Sequence, residues 1–225
     1  MTLARLQVER FRNLSHTAVR FSPGLNLIHG QNGSGKTSLL EACYFLSAGR
    51  SFRGTGIDPL IQRGQDGCLV LGELQFQGQQ HRIGVERNRE GQRRIRLDGE
   101  NVHRASELAR LMPTLVLGPE TIDLLLGPPD MRRRFLNWGL FHVEQSFLSL
   151  WDEANRCLQQ RNQLLRQGGW QPQEMDTWTH QLVENAEALD QHRQQYVRRF
   201  NEVFRSVMAE LSDFEAVDLE GWDEY

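Results

Sequence analysis

The sequence predicts an α/β fold in which a strand-rich first part carries an antiparallel β meander and a helical hairpin forms a second lobe. Three observations lead there. A glycine-rich stretch at residues 30–37 sits between an apolar run at 25–28 and an amphipathic segment at 37–47, the order strand, loop, helix. Residues 68–98 alternate between apolar and polar, with glycines at 78, 91 and 99 as turns. From Phe147 onward, apolar side chains recur at helical spacing.

In chain order, residues 3–8, 18–21 and 25–28 read as short strands, punctuated by Asn13, by Ser22-Pro23-Gly24 and by Gly30. Leu39, Ala42, Cys43 and Leu46 make 37–47 a helix packed on them. The meander is expected at 70–74, 82–85 and 94–97, followed by a short helix at 107–112, an apolar strand at 114–117 and the turn Gly127-Pro128-Pro129. After Arg132-Arg133-Arg134, the stripe Phe135, Trp138 and Phe141 is expected to be core rather than a base-stacking platform. Phe147, Leu150, Trp151, Ala154, Leu158 and Leu165 keep one apolar face until Gly168-Gly169 and Pro172 break it. A second long helix at 177–211 carries a heptad seam of Leu182, Ala186, Leu189, Tyr196, Phe200, Val203 and Val207, interrupted once at Arg193. The expected division is 1–145 and 146–225, the second part being the helical hairpin.

Composition excludes several classes. A hydrophobic content of 39%, a charged content of 24% and a mean hydropathy of -0.55 are those of an ordinary soluble domain. The absence of a signal peptide and of any spanning apolar run makes a cytoplasmic location, with no membrane partner, the default. Cys43, Cys68 and Cys157 are too few and too far apart for a disulfide framework or a C-x-x-C metal site, so they read as small buried hydrophobes. The seven histidines show no zinc spacing, and no Gly-x-Ser-x-Gly elbow occurs. A net charge of -3 requires any nucleic-acid contact to come from local patches.

The chemistry concentrates at Gly30-Gln31-Asn32-Gly33-Ser34-Gly35-Lys36-Thr37. Its glycines let successive backbone N–H groups approach phosphate oxygens, and the next helix turns its positive end toward them. Lys36 is expected to reach the β- and γ-phosphates, and Thr37 to offer its hydroxyl to Mg²⁺, so ATP with Mg²⁺ is the expected ligand. Lys36 is also the only lysine in the chain, placed where a compact point charge is needed. A GTPase needs an Asn-Lys-x-Asp base reader, which a chain with this single lysine cannot contain; a small-molecule phosphotransferase is the alternative.

The motifs also resemble a known family. Phe11-Arg12-Asn13-Leu14, the phosphate loop continued through Ser38-Leu39-Leu40-Glu41-Ala42, Gly49-Arg50-Ser51-Phe52-Arg53, Leu111-Met112-Pro113, Pro119-Glu120 and Arg133-Arg134-Phe135-Leu136-Asn137-Trp138 are together similar to the N-terminal part of the RecF family. That family is related to the ATPase heads of structural-maintenance-of-chromosomes proteins. The resemblance implies an incomplete P-loop ABC-type ATPase head, with Arg12 and Asn13 near the nucleotide and Arg50 and Arg53 facing nucleotide or DNA. It further implies recognition of gapped duplex or single/double-strand junctions and an ATP-dependent homodimer. Cooperation with RecO and RecR in loading RecA, and roles in recombinational repair, replication-gap repair and SOS induction, belong to the same implication. Asn137 stands where the family pattern has Asp. The Leu-Ser-x-Gly-Gln signature and the acidic Walker B strand are absent from these 225 residues, so the chain is expected to be a fragment that binds nucleotide weakly and hydrolyses it poorly.

Arg82, Arg87, Arg89, Arg93, Arg94 and Arg96 make the meander the most basic stretch, and Arg93, Arg94 and Arg96, with Arg53, are candidates for contact with DNA phosphates. Glu86, Glu90, Asp98 and Glu100 dilute the patch, and a solvated hairpin is the competing reading.

Overall fold

A computed structural model describes residues 1–54, 58–76 and 78–211. The chain divides into two compact units, Met1–Val116 and Leu117–Tyr225. The sequence placed the division after residue 145. It falls earlier because the helix over Pro129–Val143 packs with the helices that follow it, Gly139 lying against Tyr196 and Phe135 against Phe200.

In the first unit, strands β1 (Thr2–Phe11), β2 (Leu14–Arg20), β3 (Gly67–Phe76), β4 (Gln79–Asn88), β5 (Arg93–Leu97) and β6 (Glu100–Val102) form one sheet, in the order β2-β1-β3-β4-β5-β6. Every neighbouring pair is antiparallel. The expected meander is present, with β6 as an addition too short for alternation to reveal. Helices α1 (Lys36–Ala48) and α2 (Ala105–Leu111) lie with one face of the sheet. Alternation drives that layer: Leu6, Val8, Val70, Leu74, Ile83, Val85 and Ile95 are buried on it together with Phe45 and Leu46 of α1. Gly72 of β3 leaves room for Leu46, since a Cβ there would run into the leucine side chain. Phe11 and Phe45 meet with ring centroids 5.4 Å apart. Burying these two rings and the aliphatic side chains around them contributes roughly 1.5–3 kcal/mol each.

Three expectations change here. The buried stripe of α1 is Ser38, Glu41, Ala42, Phe45 and Leu46, rotated by one residue from the predicted face, so that a carboxylate lies inside. The segments at 25–28 and 114–117 are not strands. Both are apolar, but among the described residues no strand runs beside either, and Leu25 and Leu27 are left 95% and 84% exposed. An extended segment joins a sheet only through a neighbour's backbone.

The second unit contains α3 (Asp123–Leu126), α4 (Pro129–Val143), α5 (Phe147–Gln167) and α6 (Pro172–Glu210). Pro129 and Pro172 occupy first-turn positions, where a missing N–H costs nothing. Gly168, with φ 68°, ends α5. Helices α5 and α6 form the expected hairpin, with Leu140, Phe147 and Leu189 in its core. On α4 the buried positions are Leu136, Gly139 and Leu140, whereas Trp138 of the predicted stripe is exposed. The heptad seam of α6 likewise ends early. Val203 and Val207 are exposed, and the half-buried positions become Phe200, Phe204 and Met208. The drift follows the change of neighbour from α5 to α4 along the longer helix, which shifts the contact face off a strict seven-residue repeat.

Candidate functional site

The phosphate loop forms the approach to α1. Gly30, Gly33 and Gly35 have φ of 150°, 81° and 99°, a region costly for any residue with a Cβ. Gly35 is constrained twice, since a Cβ there would also lie 2.7 Å from Leu14 Cδ2. No side chain caps the first turn of α1, so its N–H groups stay available to an anion at the positive end of the helix. Lys36 Nζ donates to the carbonyls of Gly30 and Gln31, both at 2.8 Å, which holds the ammonium over the loop. Gln31, Asn32, Ser34 and Thr37 line the exposed rim. This cradle of glycines, open amides and one ammonium has the chemistry to fit a triphosphate, and Thr37 places an exposed hydroxyl at its rim. Among the described residues no group of three or more His, Cys, Asp or Glu is gathered to hold a metal by itself.

Arg12 and Asn13, at the end of β1, are brought to the same place. Asn13 Nδ2 donates to the Gly33 carbonyl at 3.0 Å, and its Oδ1 accepts the Ser38 hydroxyl at 2.7 Å, so one side chain ties the β1–β2 turn to both the loop and α1. Arg12 has φ 55°, a strained value for arginine costing on the order of 1 kcal/mol. Its Nε and Nη2 donate to the two oxygens of Glu41 at 2.8 and 2.6 Å. Ser51 Oγ also donates to Glu41, and in turn accepts the Arg53 N–H at 2.8 Å. Ser38, Glu41 and Ser51 were missed from sequence. The available signal was a carboxylate at helical spacing between Ser38 and Phe45 on the inward face.

Beside Arg12 and Asn13 lies a cavity of about 470 Å³, lined also by Ser38, Pro59, Ile61, Arg63 and Arg89. It is continuous with the backbone of β1: the Arg12 N–H donates to the Leu60 carbonyl at 2.8 Å, and Phe11 bridges to Ile61. Ile61 and Pro59 supply apolar wall and the arginines supply positive charge.

The basic meander does not act as one patch. Arg94 and Arg96 project from the face opposite the core, where Arg5 and Arg82 join them around a groove of about 520 Å³ floored by Leu69, Leu71 and Gly84. Arg5 lies 3.6 Å from Glu73, and Arg94 3.8 Å from Glu86, both exposed pairs. Arg93 lies on the other face. Its Nη1 reaches within 3.3 Å of where a Cβ on Gly49 would sit, so its cation meets the negative end of α1. Cross-strand from it, Arg87 has its pKa lowered by burial and then by the Arg93 charge, and its Nε is buried with no acceptor among the described residues. Arg50 and Arg53 are exposed in the turn after α1. The cysteines are inert: burial raises the Cys43 and Cys68 thiols to about 11.

In the second unit, Asn137 Oδ1 accepts both Arg193 Nε and Nη2, at 3.2 and 3.1 Å, and the Arg193 guanidinium lies 5.9 Å from the centre of a Trp151 ring. Desolvation lowers the Arg193 pKa. No described helix is long and apolar enough to cross a membrane.

These features can be set against known proteins. A DNA replication and repair protein RecF from Pseudomonas putida is 40% identical over 99% of this chain, and the RecF of Azotobacter vinelandii is 41% identical over the same share. The chain spans 62% of the length of each. A solved structure of the recombination mediator protein RecF-ATPrS superposes with a TM-score of 0.84 at 26% identity, over 94% of this chain and 58% of that one. A second RecF structure, at 24% identity and a TM-score of 0.86, and an SMC ATPase, at 20% and 0.51, share the fold. The family model described as RecF/RecN/SMC N terminal domain matches residues 2–209, and the chain therefore belongs to that family, on the RecF side of it.

Proposed function

We propose that this chain is the nucleotide-binding part of a RecF-type, DNA-binding ATPase of replication and repair. The observation that carries the reading is the loop at 30–37: three glycines at positive φ, uncapped amides at the start of α1, and Lys36 held over them. In this reading the β- and γ-phosphates lie under Lys36, Mg²⁺ takes the Thr37 hydroxyl, and the nucleoside end extends into the cavity beside Arg12 and Asn13. Binding of a fluorescent ATP analogue with and without Mg²⁺ tests it. Micromolar affinity that falls about 100-fold in Lys36→Ala supports the site, and equal binding by the variant would remove it.

DNA contact falls to the first unit. Residues 1–116 hold sixteen basic and ten acidic side chains, a net +6, against a net -9 over residues 117–225, with ten basic and nineteen acidic. Arg94 and Arg96 with Arg5 and Arg82 offer one positive face for phosphates, and Arg53 a second point. The finer roles are gapped-duplex recognition, an ATP-dependent homodimer, and cooperation with RecO and RecR in RecA loading and SOS induction. These rest on what the resemblance of the sequence motifs to the RecF family implies. Hydrolysis needs groups beyond Lys36 and Thr37, and the exposed apolar residues at 25–27 and 115–117 fit a reading in which further strands of a complete head cover them. Light scattering with and without ATP tests dimerisation, and a chain that stays monomeric at saturating nucleotide excludes it.

A further inference from the structure

Glu41 is fully buried, yet it is an acid in the middle of a helix whose other inward residues are small or apolar. Such a charge is retained only with strong partners. Its partners come from two different places. Oε1 and Oε2 together accept the fork of Arg12, at the end of β1 beside the nucleoside cavity, and Oε1 also accepts the Ser51 hydroxyl, in the turn after α1. Ser51 then holds the backbone N–H of Arg53. Apart from this tether, the turn leans on α1 through the edge contact of Phe52 with Tyr44, centroids 5.7 Å apart.

We propose that Glu41 is a positioning residue that couples the two: it aims Arg12 at the nucleotide and ties the 51–53 turn to the position of that arginine. The Arg12 guanidinium has five donors in a rigid fork: Nε and Nη2 face Glu41, and the hydrogens left over can meet a nucleotide oxygen with the Glu41 pair intact. A nucleotide that holds Arg12 in this way also fixes the carboxylate paired with it, so that Oε1 keeps Ser51 in place and the Arg53 backbone is held more firmly. Nucleotide occupancy is thereby conveyed from the cavity to the exposed Arg53 through one carboxylate. The inference rests on the ATP reading of the phosphate loop.

The test uses the full chain, ATP with Mg²⁺ as the probe, and two readouts, nucleotide affinity and the rate of trypsin cleavage after Arg53. In the wild type, ATP slows that cleavage several-fold. Glu41→Gln, which keeps the shape and removes the charge, weakens ATP about tenfold, or about 1.4 kcal/mol, and removes the effect of ATP on cleavage. Arg12→Ala combined with Glu41→Gln binds no more weakly than Arg12→Ala alone, because both act through one contact. Ser51→Ala abolishes the ATP-dependent protection and weakens ATP by no more than the several-fold factor of that protection; it decides the matter if Glu41→Gln does not fold. ATP-dependent protection that persists in Ser51→Ala, or additive losses in the double variant, overturns the coupling. Equal ATP binding by the wild type and Lys36→Ala would instead overturn the phosphate-loop reading, which separates the two failures.

Discussion

The two units of this chain use charge in opposite ways. Residues 1–116 carry a net +6 and set their arginines at glycine-shaped surfaces: the phosphate loop, the cavity beside Arg12, and the outer sheet face. Residues 117–225 carry a net -9, and a half-buried cation among them, Arg193, is turned inward onto Asn137 and Trp151. Positive charge left at a surface is available to an anion, whereas positive charge folded onto an amide and a ring holds helices together. Function is thus expected to fail through the first unit and stability through the second.

The sharpest way to separate them is Lys36→Ala. Removing a charge-assisted interaction with a triphosphate costs about 3 kcal/mol, roughly 100-fold in affinity, and the melting temperature should not fall, because among the described residues Nζ donates to two loop carbonyls. A drop of several degrees would show that the lysine supports the fold. Gly139→Ala is the counterpart in the second unit. Its Cβ would collide with the Tyr196 hydroxyl and ring, and overpacking of this kind costs roughly 1–3 kcal/mol. Thermal unfolding should show a loss of several degrees while ATP affinity is retained.

Next in size are the arginines of the sheet. Neutralising Arg94 and Arg96 should lower DNA affinity and reduce the salt slope by about 0.9 for each DNA phosphate that is no longer neutralised, measured by fluorescence anisotropy over a salt series. Arg93→Ala, on the other face, should leave the slope unchanged and cost about 0.3–1 kcal/mol of stability at the end of α1. Equal slopes for all variants would break the assignment of DNA to the outer face. Asn137→Asp should stabilise the second unit by about 1 kcal/mol, because Arg193 then meets a carboxylate in a part-buried site; a lower melting temperature would show that desolvation outweighs the pair.

The smallest effect concerns Asp98. Its carboxylate accepts from His81 and from the Arg82 N–H, which depresses its pKa. A depressed folded-state pKa means the contribution is present above the unfolded value, about 3.9, and disappears as pH falls through the folded value. Solvent screening limits it to roughly a few tenths of a kcal/mol. Asp98→Asn should therefore lower stability slightly at neutral pH and not in strong acid; a difference that grows on acidification would reverse the sign.

Much of this was legible because it is local. Glycine spacing, one lysine and a following amphipathic helix define the loop within eight residues, and alternation located β3, β4 and β5. Periodicity found α5 and α6 but could not say where α6 changes neighbours, so Val203 and Val207 were placed inside and lie outside. The same limit applies to 25–28 and 114–117, since an apolar run shows strand propensity without showing a pairing partner.

By itself, the sequence determined the phosphate loop, the antiparallel meander, the helical hairpin and the family, because each rests on residues close together in the chain or on motif identity. Only the tertiary structure decided which arginines share a face, that Asn13 locks the loop, and that Glu41 joins Arg12 to Ser51. Arg12 and Glu41 are 29 residues apart, Asn13 and Ser38 are 25 apart, and Asn137 and Arg193 are 56 apart. Contacts at such separations leave no periodic trace, and they exist only once burial has brought the elements together and forced each buried polar group to find a partner.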